Sequence, residues 1–183
     1  LVFNGEIYNR AELRRELAAR GRSFAGHGDT EVVLQAFLEW GRQCLPRLRG
    51  MFALAVWEES SGRLLLARDR MGIKPLYLLR RGDELYFASE LKAILCHAEV
   101  DRRIDPVGLH YYLGLNYVPG PHTLVEGIGK LPPGHWLEWR SGRVETGAYW
   151  RLDFRRDRTR TIESAKEELD CLLQSAVREH LVS

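Results

Sequence analysis

The chain has 183 residues, enough for one domain or for one domain and part of a second. Apolar residues make up 45% and charged residues 28%, the mix of an ordinary globular protein, and no run approaches the roughly 18 apolar residues that a membrane span needs. The net charge of +2 is too balanced to point to nucleic acid, so neither a membrane nor a polyanion is expected as a partner.

In chain order, Leu1-Val2-Phe3 reads as the end of a buried strand. The first residue is Leu rather than Met and opens directly into apolar sequence, so an upstream segment is expected. Asn4-Gly5 is a turn dipeptide. A helix is predicted over residues 10–20, with Leu13 and Leu17 on one face and Gly21 ending it. Asp29 or Thr30 is placed to cap the next helix, which runs to about Trp40 with Val33, Leu34, Phe37 and Leu38 at helical spacing; Gly41 stops it.

The middle of the chain reads as antiparallel sheet. Residues 51–57 form an apolar strand, 58–62 a polar turn and 63–68 the returning strand. Residues 74–80 and 84–88 pair around Arg81-Gly82-Asp83. Ser89 is read as the cap of a short helix over 90–96. Asp105-Pro106 opens another, with Pro at its first position. Residues 134–139 and 142–150 make a last hairpin. Composition then changes: 151–160 is a polar linker whose Arg155, Arg156, Arg158 and Arg160, interrupted by Asp157, read as solvated. A long amphipathic helix follows over 161–181, with Leu169, Leu172, Leu173, Val177 and Leu181 on one side. Helices, then sheet, then helix is an α+β order without the strand–helix alternation of a doubly wound fold. There is no internal repeat.

Cys44, Cys96 and Cys171 are odd in number and widely spaced, which argues against a disulfide framework and a zinc site and for a reducing, cytoplasmic setting. Each reads as a structural or incidental thiol. The aromatic residues read as core or interface, and His27 as an exposed loop residue without a partner to make it a proton carrier.

Three short strings have chemical potential. Asn4-Gly5-Glu6 offers a side-chain amide and a main-chain N–H close together, the donors an oxyanion hole requires, although a plain hairpin turn explains Asn-Gly as well. In Gly28-Asp29-Thr30-Glu31, Asp29 either caps its helix or, together with Glu6, binds a substrate ammonium. The string Arg68-Asp69-Arg70-Met71-Gly72-Ile73-Lys74-Pro75-Leu76-Tyr77 reads as a tight strand-to-strand connection stapled by ion pairs.

With Leu48-Arg49-Gly50-Met51-Phe52-Ala53, Phe87-Ala88-Ser89-Glu90-Leu91-Lys92-Ala93 and Lys130-Leu131-Pro132-Pro133-Gly134-His135, these strings resemble, in order and spacing, the glutaminase domain of the glutamine-hydrolysing asparagine synthetases. These are class II amidotransferases with an N-terminal nucleophile. The resemblance implies an α+β fold with four layers, αββα, of mostly antiparallel sheet, incomplete here. It implies a glutaminase domain over 1–150, truncated at its N-terminus, a linker over 151–160, and the first helix of a truncated synthetase domain over 161–183. It assigns Asn4 and Gly5 to the oxyanion hole and Glu6 and Asp29 to glutamine.

The nucleophile of that family is an N-terminal Cys whose free amine takes part in proton transfer. That Cys and the arginine that holds the glutamine carboxylate are absent from the chain, so hydrolysis by these residues alone is not expected. The implied function is ammonia supply for ATP-dependent amidation of aspartate or a related carboxylate. The implied partners are glutamine, the protein's own C-terminal synthetase domain and a second copy in a homodimer. No cofactor or metal is expected in these residues; ATP and magnesium are implied for the synthetase domain. The competing expectation is a non-catalytic docking or regulatory module derived from a glutaminase.

Overall fold

The computed structural model describes residues 1–154 and 159–181. The chain divides into two compact units, one of Leu1–Gly5 with Met51–Trp150 and one of Glu6–Gly50 with Arg151–Ser183.

The first unit contains nearly all of the sheet structure. Strands β1 (Val2–Ile7), β2 (Gly50–Glu58), β3 (Arg63–Arg68), β7 (His135–Arg140) and β8 (Arg143–Ala148) make a five-stranded sheet in the order β1-β2-β3-β7-β8. Strands β4 (Tyr77–Arg81), β5 (Glu84–Ala88) and β6 (Ile128–Lys130) make a second sheet in the order β5-β4-β6. The pairings β2–β3, β3–β7, β7–β8, β4–β5 and β4–β6 are all antiparallel. Alternation along each strand explains how the sheets pack. Ala53, Ala55, Leu64, Leu66 and Leu137 of the larger sheet form one apolar cluster with Leu76 and Leu131, against which Leu78, Leu85 and Phe87 of the smaller sheet are packed. The opposite face of the smaller sheet packs Leu79 and Ile128 against Ile94 and Val100, with α3 (Leu91–Leu95) contributing Ile94.

Several readings of the sequence need correction in this unit. Asn4-Gly5 is not a turn, because β1 runs unbroken through both residues. Nor is β1 a buried strand: it lies at the sheet edge, and Val2 is 68% exposed. The strand expected from Lys74 starts only at Tyr77, because the Lys74 main chain is engaged by the side chains of Arg68 and Asp69. Ser89 does not cap α3; its hydroxyl accepts from the Asn4 side chain instead. The three-residue strand β6 was too short to show a period. By contrast α4 (Pro106–Leu115) begins as expected, with the Asp105 carboxylate accepting from Val107 N–H and Gly108 N–H at 2.8 and 2.9 Å.

The second unit is helical. Helix α1 (Arg10–Ala19) buries Leu13 and Leu17 and ends in a Schellman arrangement: Gly21, at φ +88°, donates to Ala18 O and Arg22 donates to Leu17 O. Helix α2 (Asp29–Trp40) buries Val32, Val33, Ala36 and Phe37, so its inner face is rotated by about one residue from the expected one, and Leu38 is exposed. Gly41, at φ +55°, ends it, and a 3-10 helix (Gly41–Arg47) with buried Cys44 and Leu45 follows. Helix α5 (Ile162–His180) is capped by Thr161, whose hydroxyl accepts from Ser164 N–H. Its apolar residues Leu169, Leu172, Leu173 and Val177 are all exposed. Its last turn meets the rest of the unit through Arg49–Glu179 at 3.3 Å and Tyr8 against His180. Of the basic cluster, Arg155, Arg156 and Arg158 lie outside the described residues, and Arg160 pairs with Glu168.

Candidate active site

Asn4, Gly5 and Glu6 are consecutive residues of β1. Asn4 and Gly5 belong to the first unit, Glu6 and Asp29 to the second.

Position 5 admits no side chain. A Cβ there would run into the carbonyl oxygen of Met51 and lie 2.7 Å from Phe52 Cα, both fixed main-chain atoms. Glycine is therefore demanded by close strand approach and not by a turn. The neighbouring Asn4 donates from Nδ2 to Ser89 Oγ at 3.1 Å. That bond uses one of the two N–H groups of the amide and orients the other, which is what a fixed donor for a developing negative charge requires.

The β2 residue beside Gly5 is held by the string that begins at Arg68. Asp69 is fully buried, and its carboxylate accepts four main-chain amides: Phe52 at 3.2 Å, Met71 at 3.1 Å, Ile73 at 2.9 Å and Lys74 at 2.9 Å. Its own N–H donates to Phe52 O at 2.8 Å, and its carbonyl accepts from Gly72 and Gly134. Arg68 fans its guanidinium over the carbonyls of Lys74, Leu131 and Gly72 at 2.7, 2.8 and 2.6 Å. Gly72, at φ +67°, makes room, since a Cβ there would lie 2.8 Å from Pro133 and close to that guanidinium. The connection is thus stapled mainly by side-chain-to-main-chain hydrogen bonds rather than by the ion pairs expected. Burial lowers the pKa of Arg68, with Asp69 opposing, and burial followed by the charge of Arg68 lowers that of Lys130, whose ammonium donates to Val118 O at 2.9 Å.

In the second unit Asp29 is the first residue of α2, and its side chain makes no cap bond. It reaches across to the end of β1 and the start of α1, accepting from Ile7 N–H at 2.8 Å and from the Arg10 guanidinium at 3.1 Å. The N-cap position falls on Gly28, and Thr30 is inside the helix, so neither residue expected to cap the helix does so. The Glu6 carboxylate shows no hydrogen bond or ion pair among the described residues, which leaves it available.

Two residues here escaped a functional reading. Glu31 accepts from Ala25 N–H at 2.6 Å and Gly26 N–H at 2.8 Å, closing the loop ahead of Asp29; those two bonds, the Ala25 one first, lower its pKa. Buried Asn9 bridges the main chain on either side of Leu48, donating to Arg47 O and accepting from Arg49 N–H, both at 3.0 Å. Neither bond has a local sequence signal, since the partners lie about 40 residues away.

None of the three cysteines carries a free α-amine. Burial pushes the Cys44 thiol up to about 12, so it stays protonated at neutral pH. Cys96 is the C-terminal cap of α3 and Cys171 lies on α5, both exposed.

The family model for the glutamine amidotransferase domain matches residues 1–150, a span that holds Asn4, Gly5, Glu6, Asp29 and the whole Arg68–Tyr77 string. The chain belongs to this glutamine amidotransferase family. Glutamine-hydrolyzing asparagine synthetase 3 of Bacillus subtilis is 38% identical to this amidotransferase domain over 184 residues, covering all of this chain and 30% of that protein. Glutamine-hydrolyzing asparagine synthetase 1 of the same organism is 38% identical over 176 residues, 96% of this chain and 28% of its own length. The chain therefore spans about 30% of the length of these relatives. Among solved structures, glutamine phosphoribosylpyrophosphate amidotransferase from B. subtilis superposes with a TM-score of 0.57 at 18% identity, over 82% of this chain and 29% of that one. That likeness shows the fold alone, a mix of helices and antiparallel sheet, in keeping with the α+β class expected from the sequence. No helix among the described residues is long and apolar enough to cross a membrane.

Proposed function

We propose that this amidotransferase domain hydrolyses glutamine to glutamate and ammonia in a longer cytoplasmic protein, whose synthetase domain uses the ammonia to amidate aspartate or a related carboxylate with ATP and magnesium. The observation that carries the reading is Gly5. A residue that can bear no Cβ, next to an oriented Asn4 amide and inside the span of the family match, suits an oxyanion hole. The thiol comes from an N-terminal Cys of the longer protein, because Cys44, Cys96 and Cys171 lack its chemistry.

In this reading the thiolate adds to the side-chain carboxamide carbon of glutamine, and the oxygen becomes an oxyanion that accepts from Asn4 Nδ2–H and Gly5 N–H. The free amine of the same Cys passes the proton, directly or through water, to the leaving nitrogen. Ammonia departs with the C–N bonding pair and leaves a thioester. Water then adds to the thioester through a second oxyanion, and glutamate leaves with the thiolate restored. Glu6 and Asp29 take the α-ammonium end. Glu6 does so with a carboxylate that has no partner among the described residues. Asp29 does so with lone pairs left after its bonds to Ile7 and Arg10, since a carboxylate has about four acceptor sites. Residues 151–160 serve as a linker and 161–183 as the first helix of the synthetase domain, and the whole protein pairs as a homodimer.

The test uses the longer protein with its N-terminal Cys, assayed for glutamate release. Asn4→Ala is expected to lower kcat by about 10²–10³, the loss typical of one oxyanion donor. Asp29→Asn is expected to raise KM more than it lowers kcat. An unchanged kcat in the first variant removes Asn4 from the hole, and a loss of kcat at constant KM in the second removes Asp29 from substrate binding.

A further inference from the structure

We infer that the open end of the two-sheet sandwich, at the end of β2 remote from Gly5, is a binding site for a small organic cation, an alkylguanidinium or alkylammonium group.

The strand register builds the site. Leu64 of β3 pairs with Trp57 on one side and with Trp139 on the other, and Trp139 pairs with Val144. By alternation this row shares a face with Ala55, Leu66 and Leu137, the row before it in the sandwich core. The inner row is closed, with Ala55, Leu66 and Leu137 all at most 5% exposed. The outer row is not: Trp57 is 52% exposed. Opposite it lies the β4–β5 hairpin, and the gap is a cavity of about 360 Å³ lined by Trp57, Leu64, Leu85, Tyr86, Trp139 and the acids Asp83 and Glu84. That volume lies near the lower end of small-molecule sites. Trp57 lies five positions beyond Phe52 along β2, about 17 Å at strand rise, so the cavity is separate from the Gly5 region.

Charge and chemistry select the ligand. Asp83 makes no hydrogen bond or ion pair among the described residues, and Glu84 accepts only from Tyr86 OH, at 2.9 Å. The neighbouring cation, Arg80, is committed to main-chain carbonyls, Gly82 O at 3.2 Å and Gly142 O at 2.9 Å. Arg81 is paired with Glu99 at 3.2 Å. Two carboxylates are thus left lining a cavity walled by two indoles, while the Tyr86 ring packs on the other face of the smaller sheet against His97. Aromatic faces attract a cation through their quadrupole, and the carboxylates add charge-assisted hydrogen bonds. An anion is disfavoured by both. A neutral apolar ligand would gain nothing from Asp83 and Glu84. The same cation could arrive free or as the end of an arginine side chain.

The experiment titrates the 183-residue chain with butylguanidinium, butylammonium, N-acetyl-arginine N-methylamide and, as the neutral isostere, pentanol. Calorimetry and tryptophan fluorescence report binding. The cations are expected to saturate and to bind at least about tenfold tighter than pentanol. Trp57→Leu, and separately Asp83→Asn with Glu84→Gln, are each expected to weaken cation binding about tenfold or more. The carboxamide pair leaves pentanol unaffected. All three positions are substantially exposed, and an unchanged urea midpoint confirms that the variants fold. The tighter of butylguanidinium and the arginine derivative identifies a free cation or a peptide side chain as the source. No saturable cation binding, equal binding of pentanol, or cation binding indifferent to the carboxamide pair would each overturn the assignment.

Discussion

Removing the Asp69 carboxylate is expected to destabilise the sheet unit more than any other single polar change in it. Asp69 is wholly buried, and its two oxygens receive four main-chain amides, Met71 and Ile73 on Oδ1 and Phe52 and Lys74 on Oδ2. In Asp69→Ala the Phe52 N–H is orphaned in a buried setting, at about 2 kcal/mol, and the three partly buried amides lose charge-assisted bonds that water partly replaces, at about 1 kcal/mol each. Relief of the desolvated charge returns about 1 kcal/mol, for a net loss of about 4 kcal/mol. Asp69→Asn is the sharper test. Its shape is conserved, but whichever way the amide is turned, its NH₂ faces two N–H donors, so it too is expected to lose about 3 kcal/mol. Urea unfolding followed by near-UV circular dichroism measures both, and with an m-value of about 2 kcal/mol/M the midpoint falls by about 1.5–2 M. An Asp69→Asn protein within about 1 kcal/mol of the parent would refute the reasoning, because the two extra lone pairs would then be doing nothing.

Gly5→Ala places a methyl against Met51 O and Phe52 Cα, and since neither is a flexible side chain the cost is expected at about 2–3 kcal/mol in the same assay; a neutral variant would mean that β1 and β2 can separate there. Glu31 has its folded-state pKa depressed below the ordinary 4.5 by the Ala25 and Gly26 amides, so its contribution is present above that value and is lost as pH falls through the depressed one. The difference in stability between the parent and Glu31→Gln is therefore expected at neutral pH and should shrink to nothing in acid; a difference constant from pH 7 into acid contradicts the assignment. Because burial holds the Cys44 thiol near 12, iodoacetamide at pH 8 should label Cys96 and Cys171 and spare Cys44, read by peptide mass mapping; rapid native labelling of Cys44 would show that the site opens.

Most elements were legible because local rules and tertiary packing agreed. The α1 stop at Gly21, the α4 cap at Asp105 with Pro106 behind it, and the 63–68 strand all follow from signals within a few residues of the element. The readings that failed share a cause of the opposite kind. Asn4-Gly5 has turn chemistry, yet the glycine answers a contact with Met51 and Phe52, about 46 residues away along the chain. Ser89 and Asp29 have the chemistry of helix caps, yet their oxygens serve Asn4 in the one case and Ile7 with Arg10 in the other. A side-chain oxygen next to a helix start has a local donor to offer itself to, and nothing in the sequence marks the distant donor that outcompetes it. The same holds for the α2 face: Val32 and Ala36 pack inward in place of Leu34 and Leu38, which periodicity alone could not separate.

Those displaced caps bear on the candidate chemistry. Of the acids in the strings that carry the family resemblance, Asp69 and Glu31 bind main-chain amides, Asp29 binds one amide and one guanidinium, and Glu90 pairs with Lys92 at 2.6 Å. Glu6 alone among them has no partner among the described residues, and it sits one residue from the Ile7 amide that Asp29 holds. A carboxylate that accepts a main-chain N–H from the next residue limits the ways the strand can turn there, and so limits where Glu6 can point. The two acids proposed for the α-ammonium thus differ in what they already hold. Asp29 gives rigidity at a cost in free lone pairs, and Glu6 keeps its full acceptor capacity at a cost in internal stabilisation. A substrate ammonium gains most from the second kind of group when the first kind has already fixed the main chain around it.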